Sequence, residues 1–147
     1  MTSSDAAAEA QAACGPDAVV EGAGTVEMVL PAVSQSVGIA RRYVHRRWRQ
    51  LDDGVLNDVG LIVSELVSNA VRHGQPDIVF RLRVDPLAVD VAVLDQGPDL
   101  PPTDLRPAGG LATSGRGLSI VNELASSWGV DGHDGSGAKT VWASIQR

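Results

Sequence analysis

The stretch LIVSELVSNAVRHG, Leu61 to Gly74, decides how the rest of the chain is read. Laid on a helix, Ile62, Val63, Leu66, Val67, Ala70 and Val71 form a broad apolar face. Glu65, Asn69 and His73 fall at i, i+4 and i+8 and stack along one stripe beside that face. Arg72 lies next to them, and Gly74 is the expected C′ stop. A soluble helix normally turns its polar residues away from the core. An acid and an amide set against the apolar face instead suit the floor of a polar pocket. A surface helix also carries Glu and Asn by chance, so the stretch needs support from elsewhere.

Length and composition narrow the field. At 147 residues the chain fits one domain with a sizeable core. No apolar run approaches a membrane span, and the first residues lack a basic-then-apolar signal pattern. Cys14 is the only cysteine, so no intrachain disulfide forms and the reducing cytoplasm is the expected compartment. A net charge of −6 argues against general nucleic-acid or membrane-surface binding.

Upstream, residues 1–24 are Ala, Gly, Ser and Asp with few bulky apolar residues, and read as a disordered leader to a domain at 25–147. TVEMVL, Thr25 to Leu30, alternates as a first strand halted by Pro31. A helix capped by Ser34 or Ser36 follows, running to about Leu51 on a stripe of Val37, Ala40, Val44, Trp48 and Leu51. Its other face carries Arg41, Arg42, His45, Arg46 and Arg49, either a solvated surface or a dock for an acidic protein. Asp53 is the expected cap of the central helix.

Downstream, residues 77–84 and 87–95 alternate at period two around Asp85-Pro86 and read as a β-hairpin delivering Asp95 to a strand end. Residues 98–114, rich in Pro and Gly, read as a lid loop. A third helix spans Gly115 to Ser127, and Trp128–Val130 with Lys139–Gln146 close the sheet. The resulting fold class is α+β, a two-layer sandwich whose sheet is covered on one face by three helices.

Four boxes now stand in order: Glu65-x-x-x-Asn69, the Asp95-x-Gly97 of VAVLDQGP, the Gly115-x-Gly117 of SGRGLSIV, and the Thr140 of GAKTVWASI. Together they resemble the GHKL ATP-binding family, with its Bergerat or histidine-kinase-like ATPase fold and a mixed, mostly antiparallel sheet. SELVSNAVRHG, GRGLSIVNELASSWGV and KTVWA look most like the stand-alone anti-sigma-factor serine/threonine kinases of actinobacterial type.

The resemblance implies roles residue by residue. Glu65 is the general base, accepting the proton of the attacking hydroxyl. Asn69 holds magnesium against the phosphates of ATP. Asp95 accepts a hydrogen bond from the adenine amino group, and Gly97 lets the backbone approach the base. Gly115, Arg116, Gly117 and Leu118 form a phosphate cradle at a helix start, where free amides and the helix dipole favour an anion. Thr140 helps hold the base. His73 lies at the nucleotide by resemblance; read alone, it is a helix-end histidine satisfied by a backbone carbonyl. The sequence departs from the fullest pattern at DQGPD, with Asp99 where a second glycine stands.

The implied function is an ATP-dependent protein serine/threonine kinase and anti-sigma factor that phosphorylates an anti-anti-sigma protein of STAS type. Its implied partners are that protein, a sigma factor and a second copy of the chain, with no nucleic acid and no membrane. The alternative is a nucleotide-gated module that sequesters a partner with little or no phosphoryl transfer. A sensor histidine kinase is disfavoured, because residues 1–24 cannot form the helix pair that carries a phosphorylated histidine.

Overall fold

Period-two alternation and one long amphipathic helix set the architecture. The computed structural model describes residues 16–73, 75–96, 115–132 and 138–147. Its strands are β1 (Ala18–Gly22), β2 (Thr25–Leu30), β3 (Ile78–Val84), β4 (Ala88–Asp95), β5 (Ser127–Gly132) and β6 (Lys139–Gln146). Its helices are α1 (Gln35–Arg47), α2 (Asp53–His73) and α3 (Gly115–Leu124). The strands make one sheet in the order β1-β2-β3-β4-β6-β5, with every pairing antiparallel. This is the expected α+β sandwich, and the mostly antiparallel sheet is wholly so among the described residues.

One face of each central strand is apolar and buried. Val26, Met28 and Leu30 line up with Ile78, Phe80 and Leu82, then with Val89, Val91 and Val93, then with Val141, Ala143 and Ile145. The helix α2 packs across β3, β4 and β6 and buries Leu56, Val59, Ile62, Val63, Leu66, Val67 and Ala70. By length and composition alone α2 is also apolar enough to cross a membrane. Its burial pattern is that of a core helix, with polar residues along one side and apolar residues against the sheet. The other face of the sheet is polar, as in the register pair Glu27 and Arg81, whose side chains form an ion pair.

Several boundaries differ from the sequence reading, each for a local reason. Residues 18–22, assigned above to a leader, form the edge strand β1. Gly24, at φ 79°, makes the turn into β2, and an added Cβ there would meet the Val84 carbonyl oxygen at 2.7 Å. Arg47 ties β1 to α1 by donating to the Gly22 carbonyl at 3.0 Å. The helix α1 ends at Arg47 rather than Leu51, because Trp48 leaves helical backbone at φ −122° and ψ 35°. Trp48 and Leu51 still reach the core through the following turn, so the apolar stripe was sound although the helix was too long. Of the two candidate caps, Ser34 is the N-cap residue, without a side-chain cap hydrogen bond, and Ser36 in the first turn donates its hydroxyl to the Pro31 carbonyl at 2.6 Å.

The cap of α2 is Asp52, whose Oδ2 accepts from the amides of Gly54 at 3.0 Å and Val55 at 3.3 Å; Asp53 is the first helical residue. Helix α3 stops at Leu124 instead of Ser127, since the Ser126 amide already bonds the Ser144 carbonyl and starts β5. The hairpin of β3 and β4 is as expected. Oδ1 of Asp85 accepts from the amides of Leu87 at 2.8 Å and Ala88 at 2.9 Å. The Leu87 amide first, then the Arg83 side chain and the Ala88 amide, hold the Asp85 carboxyl below its usual 3.8. A depressed folded pKa means this turn contributes stability above the unfolded value and loses it as pH falls through the folded one. The expected stop at Gly74, the lid at 98–114 and the turn at 133–137 lie outside the described residues.

Leu66 packs on α2 at 1 % exposure, whereas Leu61 is 45 % exposed. Leu66→Ala should lower the unfolding free energy by about 2–5 kcal/mol in urea denaturation. Leu61→Ala should change it by under about 0.5 kcal/mol.

Candidate functional site

The core is apolar except at one end. Four polar or charged side chains are buried among the described residues: Ser36, Asn69, Asp95 and Lys139. Ser36 serves the start of α1, as above. Of the other three, Asn69 lies near the end of α2, and Asp95 and Lys139 face each other across β4 and β6, strands on which α2 packs. The helix α2 crosses β4 and β6, and the Gln96 amide, next to Asp95, bonds the Gln75 carbonyl at 3.1 Å, two residues beyond the end of α2. Asp95 closes β4 directly opposite Lys139, which opens β6.

On α2 the expected stripe is graded in depth. Glu65 is half-buried, Asn69 is 6 % exposed, and His73 and Arg72 are exposed. No ion pair joins Glu65 to Arg72 among the described residues, so Glu65 is not tied up on the surface. The Asn69 amide has no hydrogen-bond partner among those residues. The Tyr43 hydroxyl is the one side-chain polar atom there that is both sealed and unpartnered, so the Asn69 amide faces accessible space. A buried amide held this way is poised for a ligand, since its desolvation is already partly incurred.

Asp95 is 1 % exposed, and its Oδ1 accepts a hydrogen bond from Lys139 Nζ at 2.9 Å; Lys139 is equally buried. The sequence reading placed Asp95 correctly at a strand end but missed Lys139. Thr140 lies, as expected, on the strand next to the one that ends in Asp95. Thr140 pairs with Leu94, one residue out of phase, so its side chain lies on the sheet face opposite to Asp95. Lys139 is the residue directly opposite Asp95. The signal for this was present: Lys139, Val141, Ala143 and Ile145 alternate, so the lysine falls in the apolar row.

Helix α3 begins at Gly115, as the Gly-x-Gly reading requires, and Leu118 is buried in the core rather than set at the surface. Gly97 and Asp99 lie outside the described residues. No group of three or more His, Cys, Asp or Glu side chains suited to a metal occurs among the described residues. Magnesium held by one amide oxygen and by phosphates does not need such a group. Asn69 fits that requirement by its chemistry and its open amide.

A profile for the histidine kinase-like ATPase domain matches residues 30–145. Among solved structures, the chain is similar to the histidine kinase domain of the blue-light-activated histidine kinase from Erythrobacter litoralis EL346. The two are 19 % identical with a TM-score of 0.48, and the match covers 86 % of this chain and 69 % of that one. No curated protein matches the chain significantly.

Breaking the buried pair on one side strands a charge. Lys139→Met should cost about 3–5 kcal/mol of stability in chemical denaturation. Lys139→Met combined with Asp95→Leu should recover most of that loss, because two apolar side chains replace a desolvated pair.

Proposed function

The chain belongs to the histidine kinase-like ATPase domain family, of GHKL type, and from that premise we propose that it is an ATP-dependent protein serine/threonine kinase. Its substrate in this reading is a STAS-type anti-anti-sigma protein, and the kinase itself acts as an anti-sigma factor in the cytoplasm. The observation that carries the reading is the Asn69 amide, buried yet unengaged among the described residues, one helical turn from Glu65 on the helix that packs across the strand ending in Asp95.

Phosphoryl transfer asks the protein chiefly for alignment and charge control. Magnesium, when bound, neutralises phosphate charge. Asn69 would hold it through the amide oxygen. Glu65, half-buried and without an ion-pair partner among the described residues, accepts the proton of the serine or threonine hydroxyl. Asp95 accepts a hydrogen bond from the adenine amino group. The amides at the start of α3, at Gly115, would receive the phosphates.

Docking of a protein substrate is supported by α1. Arg41, Arg42, Arg46 and Arg49 are exposed and enter no ion pair among the described residues, in a chain of net charge −6. That surface also serves the second reading, a nucleotide-gated sequestering module without transfer.

Incubation with labelled ATP, magnesium and a STAS-type protein, followed by phosphosite mapping, separates the two. Transfer to a serine or threonine supports the kinase; nucleotide-dependent binding without transfer supports the module. Glu65→Gln should keep nucleotide affinity and lose transfer roughly a hundredfold or more. Asn69→Ala should lose both, and equal loss of binding in the two variants would count against Glu65 as the base.

A further inference from the structure

We propose that Lys139 is a second base-reading residue, donating a hydrogen bond to the adenine ring nitrogen N1 beside the amino group that Asp95 accepts. This rests on the reading of the site as an adenine-nucleotide pocket. An ammonium carries three donors and no acceptor. Lys139 spends one on Asp95 Oδ1 at 2.9 Å and has no other partner among the described residues. At 1 % exposure, water does not serve the remaining two. A buried cation with donors unspent is costly, and a ligand acceptor relieves that cost.

The geometry specifies what kind of acceptor fits. Asp95 and Lys139 are register partners on neighbouring strands and point to the same sheet face. They present an acceptor and a donor side by side at the end where α2 and β4 converge. The complementary edge of a ligand has a donor next to an acceptor. Adenine offers this on two edges, with the exocyclic amino group beside either N1 or N7. The N1 edge is the one assigned here because guanine reverses that order there, and removing N1 alone tells the two apart. The carboxylate and the ammonium remain paired while both address the base, so neither charge is stranded when the nucleotide leaves.

Lys139 is the only lysine in a chain whose other cations are all arginine. Arginine's branched, planar head carries five donors in a fixed fork, whereas an ammonium is a compact point donor that rotates freely. The compact group suits a site where one donor must reach a carboxylate and another a ring atom in the same small space.

Calorimetry with the full chain tests this, using magnesium with ATP, with 1-deaza-ATP, which lacks only the N1 acceptor, and with GTP. The wild-type chain should bind 1-deaza-ATP roughly tenfold or more weakly than ATP, the range for one charge-assisted hydrogen bond. Lys139→Met should bind ATP more weakly by a similar factor and no longer distinguish ATP from its 1-deaza analogue. A purely structural Lys139 would leave that ratio unmoved. Equal wild-type affinity for ATP and 1-deaza-ATP overturns the inference, even if Lys139→Met fails to fold. GTP bound as tightly as ATP overturns it as well, because guanine presents its donor and acceptor in the reverse order. If no adenine nucleotide binds at all, the proposed function falls along with the inference. Loss of N1 discrimination alone takes down only the inference.

Discussion

Everything in the fold answers to the apolar face of one sheet that α2 must cover. Four adjacent strands direct Val, Ile, Leu, Met and Phe side chains to the same side, and α2 lays its own apolar stripe across them. A stripe that wide leaves little of the helix circumference for solvent. Polar residues on α2 are therefore pushed to its margins, and Glu65 and Asn69 sit at such a margin rather than facing out. Their inward placement is a by-product of covering the sheet. A helix narrower in its apolar contact would have turned both residues to water.

The same constraint explains where the buried charges are. A carboxylate or ammonium in the middle of the apolar rows would be surrounded by side chains with nothing to donate or accept. At the ends of β4 and β6 the rows run out, and α2 is finishing overhead. Asp95 and Lys139 occupy the terminal positions of rows that are otherwise Val89, Val91, Val93 and Val141, Ala143, Ile145. Their mutual hydrogen bond gives each a polar partner there. A pair of this kind contributes little net stability compared with an apolar pair of similar volume, so the fold alone does not account for it. A site does.

What was legible in the sequence divides along physical lines. Strong periodicity read correctly: α2, β2, the β3–β4 hairpin and β6 emerge with their buried faces as expected, because each buries an uninterrupted apolar row. Weakly apolar elements did not. The strand β1 buries none of its five residues, so its pairing with β2 leaves no hydrophobic pattern to find. Helix ends misread by one to four residues where a neighbouring element captured the backbone, as β5 does at Ser126. Asp52 and Asp53 are adjacent candidates for one cap, and only the geometry of the Asp52 carboxylate separates them. Of the candidate site, the inward placement of Glu65, Asn69 and Asp95 was legible because each breaks an apolar pattern at a definite phase.

Thr140 and Lys139 show why phase matters more than motif on a strand. A shift of one residue moves a side chain to the other face of a sheet, so a motif match that is correct to within one position is uninformative about the site. On a helix the same error rotates a residue by about 100° and often leaves it near its expected neighbours. The phase of β6 was available without any motif. Val141, Ala143 and Ile145 must face α2, since they are the strand's continuous apolar row, and two residues back from Val141 is Lys139. Register then carries the assignment across: whatever faces α2 at the start of β6 must face the residue that ends β4 on the same side, and that residue is Asp95. Hydrophobic phase and antiparallel pairing place a lysine against a carboxylate in the interior, with Thr140 next to it on the same strand and turned to the other face.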